Sequence, residues 1–375
     1  MRISSDFDGG NITCLACADP DDIQLVIDKD SNSDFYQWFH FRLSGARGQA
    51  CTLKIVNAGG AAYPNGWRDY RAVASYDRSD WFRVPTGFDG STLTISHTPQ
   101  RDSVYYAYFA PYSMERHGDL IATSLASPLV ALEVPGATLD GQDLDLLHIG
   151  AADPGKRQCW VVARQHPGET MAEWWMEGFL HRLLDDADPV SRAVLKYAVF
   201  HVVPNMNPDG SRRGNLRTNA AGANLNREWQ APSLERSPEI LLVRQAMERT
   251  GVDFCLDVHG DETIPYNFLI GTAGIPSLHE RQTALHERYA EALRRASPDF
   301  QSVHGYPEGR PGGANLTMCS NYVAETFGCL ALTLEMPFKD NADAPDERHG
   351  WSPARCRKLG AANLDAILAV LETLR

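Results

Sequence analysis

The stretch KYAVFHVVPNMNP, residues 196–208, stays apolar over consecutive positions before it breaks into asparagine and proline. A strand with one wet face would alternate apolar and polar residues, whereas an unbroken run belongs to a strand covered on both sides. The sequence around it agrees. LDLLHIGA (144–151), RQCWVVARQH (157–166), VDFCLDVHGDE (252–262) and GCLALTLEMPF (328–338) read as further strands. Helical stretches lie between and after them: TMAEWWMEGFLHRLL (170–184), PEILLVRQAMERTG (238–251), SLHERQTALHERYAEALRRA (277–296) and the last 22 residues, 354–375. In the first of these, Met171, Trp174, Trp175, Gly178, Phe179 and Leu183 form a helical stripe. SMERHGDLIATSLAS (113–127), with Ser113 as its cap, opens the region. Strands alternating with helices predict an α/β domain with a mixed sheet covered on both faces, over residues 113–375.

Upstream the texture changes. DDIQLVIDKD (21–30), FYQWFHFRLSG (35–45), ACTLKIVNAGG (50–60), WFRVP (81–85), STLTISHT (91–98) and DSVYYAYFAPY (102–112) are short, aromatic or β-branched, and separated by turn formers. Phe35, Gln37, Phe39, Phe41 and Leu43 share one face of a strand by alternation. These runs predict an antiparallel β-sandwich over residues 1–112.

Composition narrows the function. With 48 acidic against 35 basic residues the formal charge is −13, which argues against nucleic acid as a partner. No run of about 18 apolar residues occurs, so no membrane span is expected. The opening MRISSDFDGGNITCLACADPDD lacks the apolar core of a signal peptide, so the eight scattered cysteines read as reduced thiols of a cytoplasmic protein. CLAC (14–17) has metal-ligand spacing, but no second pair completes a cage.

Functional residues of an open α/β sheet gather at the carboxyl ends of its strands. One strand runs into HPGE and delivers His166 and Glu169; VDFCLDV delivers His259; LALTL delivers Glu335. Two histidines and a carboxylate with an open position form a catalytic zinc arrangement. Pro167 and Gly168 bend the chain so that an i, i+3 pair can aim at one point. HGDE repeats the spacing, which leaves Glu262 as a rival ligand to Glu169. The polar segment NMNPDGSRRGNLRTNAAGANLNREW (205–229) follows the buried strand, and its Arg217, Asn226 and Arg227 suit an anion or a polarised carbonyl.

HPGE, the 205–229 segment, DVHGDE and LTLEMPF together resemble the zinc metallocarboxypeptidases, most of all their cytosolic branch, which carries a β-sandwich ahead of the catalytic domain. WFHFRLSGARGQACTLKIVN and YYAYFAPYSMERHGDL resemble that branch's leading domain and junction. The resemblance implies one zinc ion held by His166, Glu169 and His259, Glu335 as general base, Arg217 at the oxyanion, and Asn226 with Arg227 on the terminal carboxylate of peptide or protein C-terminal tails. Glu262 has no role in that pattern. The branch is associated with trimming glutamates, and Arg310 is the candidate for the basic residue this needs, with Arg212, Arg213 and Lys339 as rivals. Asn224 stands where the family often has an acidic residue, and the role of Asp257 stays open. Tyr306 and Tyr322 both fall in range of the family's mobile tyrosine, and neither is assigned. A zinc N-acyl amino acid deacylase and a non-catalytic reader of peptide tails are the competing functions.

Overall fold

The computed structural model describes residues 1–307, 310 and 312–374. Its amino-terminal part has two five-stranded sheets. One orders Arg2–Ser4, His40–Ser44, Ser103–Ala107, Val73–Ser75 and Phe82–Arg83, antiparallel throughout. The other orders Thr13–Ala16, Ile23–Val26, Cys51–Ile55, Leu93–His97 and Thr86–Phe88, with Ile23–Val26 parallel to Cys51–Ile55. In Cys51–Ile55 the odd residues are buried and the even ones are not, so one face packs inward. Leu25, Leu53 and Ile95 of one sheet and Phe41, Leu43 and Tyr106 of the other enter a common core. The strand expected over 35–45 shrinks to His40–Ser44. Gln37 uses its side chain instead to grip the backbone of Tyr63, accepting from its N–H at 2.8 Å and donating to its carbonyl at 3.1 Å.

The second part is built on a seven-stranded sheet ordered Val130–Glu133, Leu146–Ile149, Ala198–Val203, Arg157–Ala163, Phe254–Asp261, Leu330–Pro337 and Phe268–Ile270. The four strands from Ala198–Val203 to Leu330–Pro337 run parallel, and antiparallel pairs close both edges. Ala198–Val203 is buried at every residue. Alternate residues of Arg157–Ala163 enter two separate cores. Cys159 and Val161 pack with helices Met171–Leu183 and Pro353–Leu371, while Trp160 and Val162 pack with helices Pro238–Thr250 and Cys319–Phe327. The edge strands Val130–Glu133 and Phe268–Ile270 and the helices Pro189–Tyr197 and Cys319–Phe327 were not expected from the sequence; none exceeds nine residues, too short for a clear period. No helix among the described residues is long and apolar enough to cross a membrane.

Two buried cations tie the parts together. Arg83, from the sandwich, donates to the carbonyls of Phe338, Lys339, His349 and Trp351 at 2.8–3.2 Å, beside the Tyr108 ring stacked on Phe338 at 4.4 Å. Arg164, at the end of strand Arg157–Ala163, pairs with the fully buried Glu173 and donates to the Tyr112 carbonyl at 2.8 Å. Glu173 also holds His117 Nδ1 at 2.8 Å, and the other ring nitrogen meets Asp145 at 3.0 Å.

Against the pull of burial, these two carboxylates raise His117 to about 9. A raised folded-state value contributes stability that is fully present below the unfolded histidine's ordinary 6.5 and is lost as pH climbs through about 9. The shift corresponds to something on the order of 3 kcal/mol. The urea midpoint should therefore fall between pH 6.5 and 9.5, and a His117→Asn protein should lose most of that slope; an equal slope in the variant assigns it to other groups.

Candidate active site

The site begins where strand Arg157–Ala163 stops. Arg164 takes a left-handed backbone, φ 58°, which costs a residue with a side chain of order 1–3 kcal/mol. Its guanidinium holds the turn from inside, donating from Nε to the Pro167 carbonyl at 2.9 Å. Gly168 N–H donates to the Leu216 carbonyl at 2.8 Å, and a Cβ on Gly168 would stand 2.9 Å from that oxygen, so glycine is required. The turn brings His166 Nδ1 to 2.7 Å from Glu169 Oε1.

His259, on strand Phe254–Asp261, completes the group. Its Nδ1 lies 2.8 Å from Glu169 Oε2 and 3.1 Å from His166 Nδ1, and all three side chains are buried. Ligand atoms of the three fall within 4.8 Å of one another. The outward ring nitrogens are also engaged: His166 Nε2 meets Asn224 Oδ1 at 3.0 Å, and His259 Nε2 meets Asp257 Oδ2 at 2.9 Å. Those oxygens only accept, so each Nε2 carries a proton and each Nδ1 points inward, the orientation a metal-binding imidazole requires. Burial and the charge of Arg217 push His166 down to about 4, which keeps its Nδ1 lone pair free, while against burial Asp257 and Glu169 hold His259 well above its ordinary value, so an ion would take that Nδ1 by displacing a proton. Two inward Nδ1 atoms and a carboxylate fit one zinc ion. Asp257 is itself pinned by Gln165 Nε2 at 2.7 Å. Asp257→Asn would remove the charge behind His259, and zinc affinity should fall about 10- to 100-fold, read by competition with a chromogenic chelator. An unchanged dissociation constant would deny Asp257 that part.

These residues open onto a cavity of about 600 Å³. Glu335 stands opposite His259 in the adjacent strand and lines it, with Oε2 unpartnered. Burial raises Glu335 well above the usual carboxylate range, against the pull of His259 and with the push of Glu169 and its acidic neighbours. Arg217, Asn226 and Arg227 line the same cavity. Arg217 is 3.9 Å from Glu169 Oε1. Asn226 Oδ1 accepts from Cys319 N–H at 2.8 Å, leaving the amide nitrogen as its donor, 3.4 Å from the His259 ring. Arg227 is exposed at the rim, its guanidinium bonded to the Asn226 carbonyl at 2.6 Å.

The structure thus gathers His166, Glu169, His259, Glu335, Arg217, Asn226 and Arg227. Arg310 is exposed and does not itself line the cavity, but its carbonyl accepts at 2.9 Å from the N–H of Gly313, which does. Among the rivals, Arg213 pairs with Asp140 at 2.7 Å and Lys339 donates to the Thr263 carbonyl at 3.3 Å. Glu262 lines the cavity without joining the three-donor group. Of the two tyrosines left unassigned, Tyr306 lines the cavity with its hydroxyl on Asp261, while Tyr322 packs against Arg244 and Trp229. Tyr63, from the sandwich, also lines the cavity, and nothing local in the sequence marks it.

Comparison with known proteins extends this geometry. Residues 3–109 match the family described as the cytosolic carboxypeptidase N-terminal domain, and residues 122–353 match the family described as zinc carboxypeptidase. The chain is similar to the crystal structure of a metallo-carboxypeptidase from Burkholderia cenocepacia, at 51% identity over all of both chains and a TM-score of 0.97. It is also similar to a metallo-carboxypeptidase from Pseudomonas aeruginosa in complex with (2-guanidinoethylmercapto)succinic acid, at 45% identity over all of both chains and a TM-score of 0.97. Cytosolic carboxypeptidase 1 of Xenopus laevis is 29% identical over 72% of this chain, which spans only 26% of that protein.

Proposed function

This chain belongs to the zinc carboxypeptidase family, and from that premise we propose that it removes single residues from the carboxyl ends of peptides or proteins, with His166, Glu169 and His259 holding one zinc ion. The observation that carries this reading is the meeting of the three-donor group with two guanidinium groups and a free carboxyl in one cavity. Zinc at such a site supplies a Lewis acid and a water acidified to a pKa of about 7. Glu335, with Oε2 uncommitted, takes the proton from the attacking water and passes it to the departing amine. Arg217 meets the negative charge that grows on the carbonyl oxygen. Asn226 and Arg227 take the terminal carboxylate, which only the last residue of a chain presents, and this makes the reaction exopeptidic.

We assign acidic terminal residues as preferred substrates. A terminal glutamate presents a second carboxylate beyond the one that Asn226 and Arg227 take, and Arg310, exposed and with its carbonyl accepting from the N–H of the cavity-lining Gly313, is the cation assigned to it. The test is digestion of a peptide library by zinc-loaded protein, read by mass spectrometry. Loss of one carboxyl-terminal residue at a time, fastest at Glu or Asp, is the expected result. Internal cleavage would overturn the exopeptidase reading, equal rates at all termini would overturn the acidic preference, and faster hydrolysis of N-acyl amino acids would favour a deacylase.

A further inference from the structure

Arg217 belongs to the catalytic half of the chain, but the sandwich sets where it stands. Asp30, in the loop after strand Ile23–Val26, is 3% exposed. One carboxylate oxygen accepts from Leu216 N–H at 2.6 Å. The other accepts from Arg217 N–H at 2.7 Å, Thr218 N–H at 3.0 Å and the Thr218 hydroxyl at 3.1 Å. Three successive N–H groups closed on one carboxylate fix the backbone on both sides of the arginine. The surrounding loop continues the grip: Asn32 Nδ2 donates to the Ala220 carbonyl at 2.9 Å, and Asn11 Nδ2 to the Gly214 carbonyl at 2.8 Å. The guanidinium is held as well, its carbon lying 5.2 Å from the Tyr63 ring and 5.9 Å from the Phe35 ring, both supplied by the sandwich.

We infer that Asp30, together with the Tyr63 ring, is a positioning element that sets Arg217 for the carbonyl oxygen, so that the sandwich is a working part of the catalytic device. This rests on the oxyanion reading of Arg217. The physical reason is preorganisation. A donor lowers the barrier in full only if it already stands where charge will develop, and a displacement of about 1 Å can cost about a hundred-fold in rate. An arginine on a free loop would have to be ordered at each turnover. Asparagine in place of Asp30 would keep the shape but turn an NH₂ group against main-chain N–H donors.

The test is a double-mutant cycle on the full zinc-loaded chain with a peptide substrate, comparing Asp30→Asn, Arg217→Ala and their combination. Arg217→Ala should lower kcat by about 10²–10³-fold, the cost typical of one lost oxyanion donor. Asp30→Asn should lower kcat by roughly ten-fold or more, with KM within about three-fold and zinc retained. The combination should fall no more than about three-fold below Arg217→Ala, because nothing is left to position. Tyr63→Ala should give a smaller loss, about three- to ten-fold, that also vanishes in the Arg217→Ala background; it carries the cycle if Asp30→Asn does not fold. Additive losses, or an unchanged kcat in Asp30→Asn, overturn the inference while leaving Arg217 in its role. An unchanged kcat in Arg217→Ala overturns the oxyanion reading itself.

Discussion

Replacing Glu335 by glutamine is expected to lower kcat by about 10²–10⁴-fold, the range that a positioned general base contributes. The amide keeps the shape and burial of the side chain but cannot accept the proton. Glu335 stands beside the His259 strand position without joining the three-donor group, so zinc content should stay stoichiometric and KM should move little. Steady-state kinetics paired with metal analysis reads both. A loss below ten-fold would remove Glu335 as the base, and a parallel loss of zinc would make it a ligand.

The second large effect concerns stability. Glu173 is fully buried, and Arg164 is its only guanidinium partner among the described residues; His117 and the Asn205 amide, at 3.2 Å, complete its surroundings. Arg164→Met leaves a buried carboxylate without its strongest partner, and breaking such a pair from one side costs about 3–5 kcal/mol. It also frees the Pro167 carbonyl and the turn that aims His166. Urea denaturation should show the loss in unfolding free energy. The double variant Arg164→Met with Glu173→Gln should regain part of it, because the orphaned charge is then gone. A single variant within about 1 kcal/mol of the parent would show that the pair is dispensable.

Much of this site was legible because its residues sit where strands end. Strand-end position found His166, His259 and Glu335, and the i, i+3 spacing across Pro167 and Gly168 found Glu169. The same spacing in HGDE could not exclude Glu262. Side-chain contacts separate the two: His259 Nδ1 meets Glu169, and Glu262 stays outside the three-donor group. Arg310 is read from composition alone, and a glycine- and proline-rich loop marks irregular backbone, not the direction of a side chain. Asp30 and Tyr63 left no local trace. Their partners lie more than 150 residues away, and a lone aspartate in a turn or a tyrosine beside a proline looks like any other. The sandwich was readable from alternation, yet one strand shortened because Gln37 bonds to a loop rather than a ladder.

The seam at Arg83 has a consequence for anyone who handles the molecule in pieces. A guanidinium that satisfies four carbonyls of the other half, beside an aromatic stack, leaves no clean place to cut. A fragment starting near residue 113 would face solvent with bare main-chain oxygens and an uncovered phenylalanine ring, and should be recovered as aggregate. Calorimetry of the intact chain should accordingly record a single endotherm, with van't Hoff and measured enthalpies in agreement.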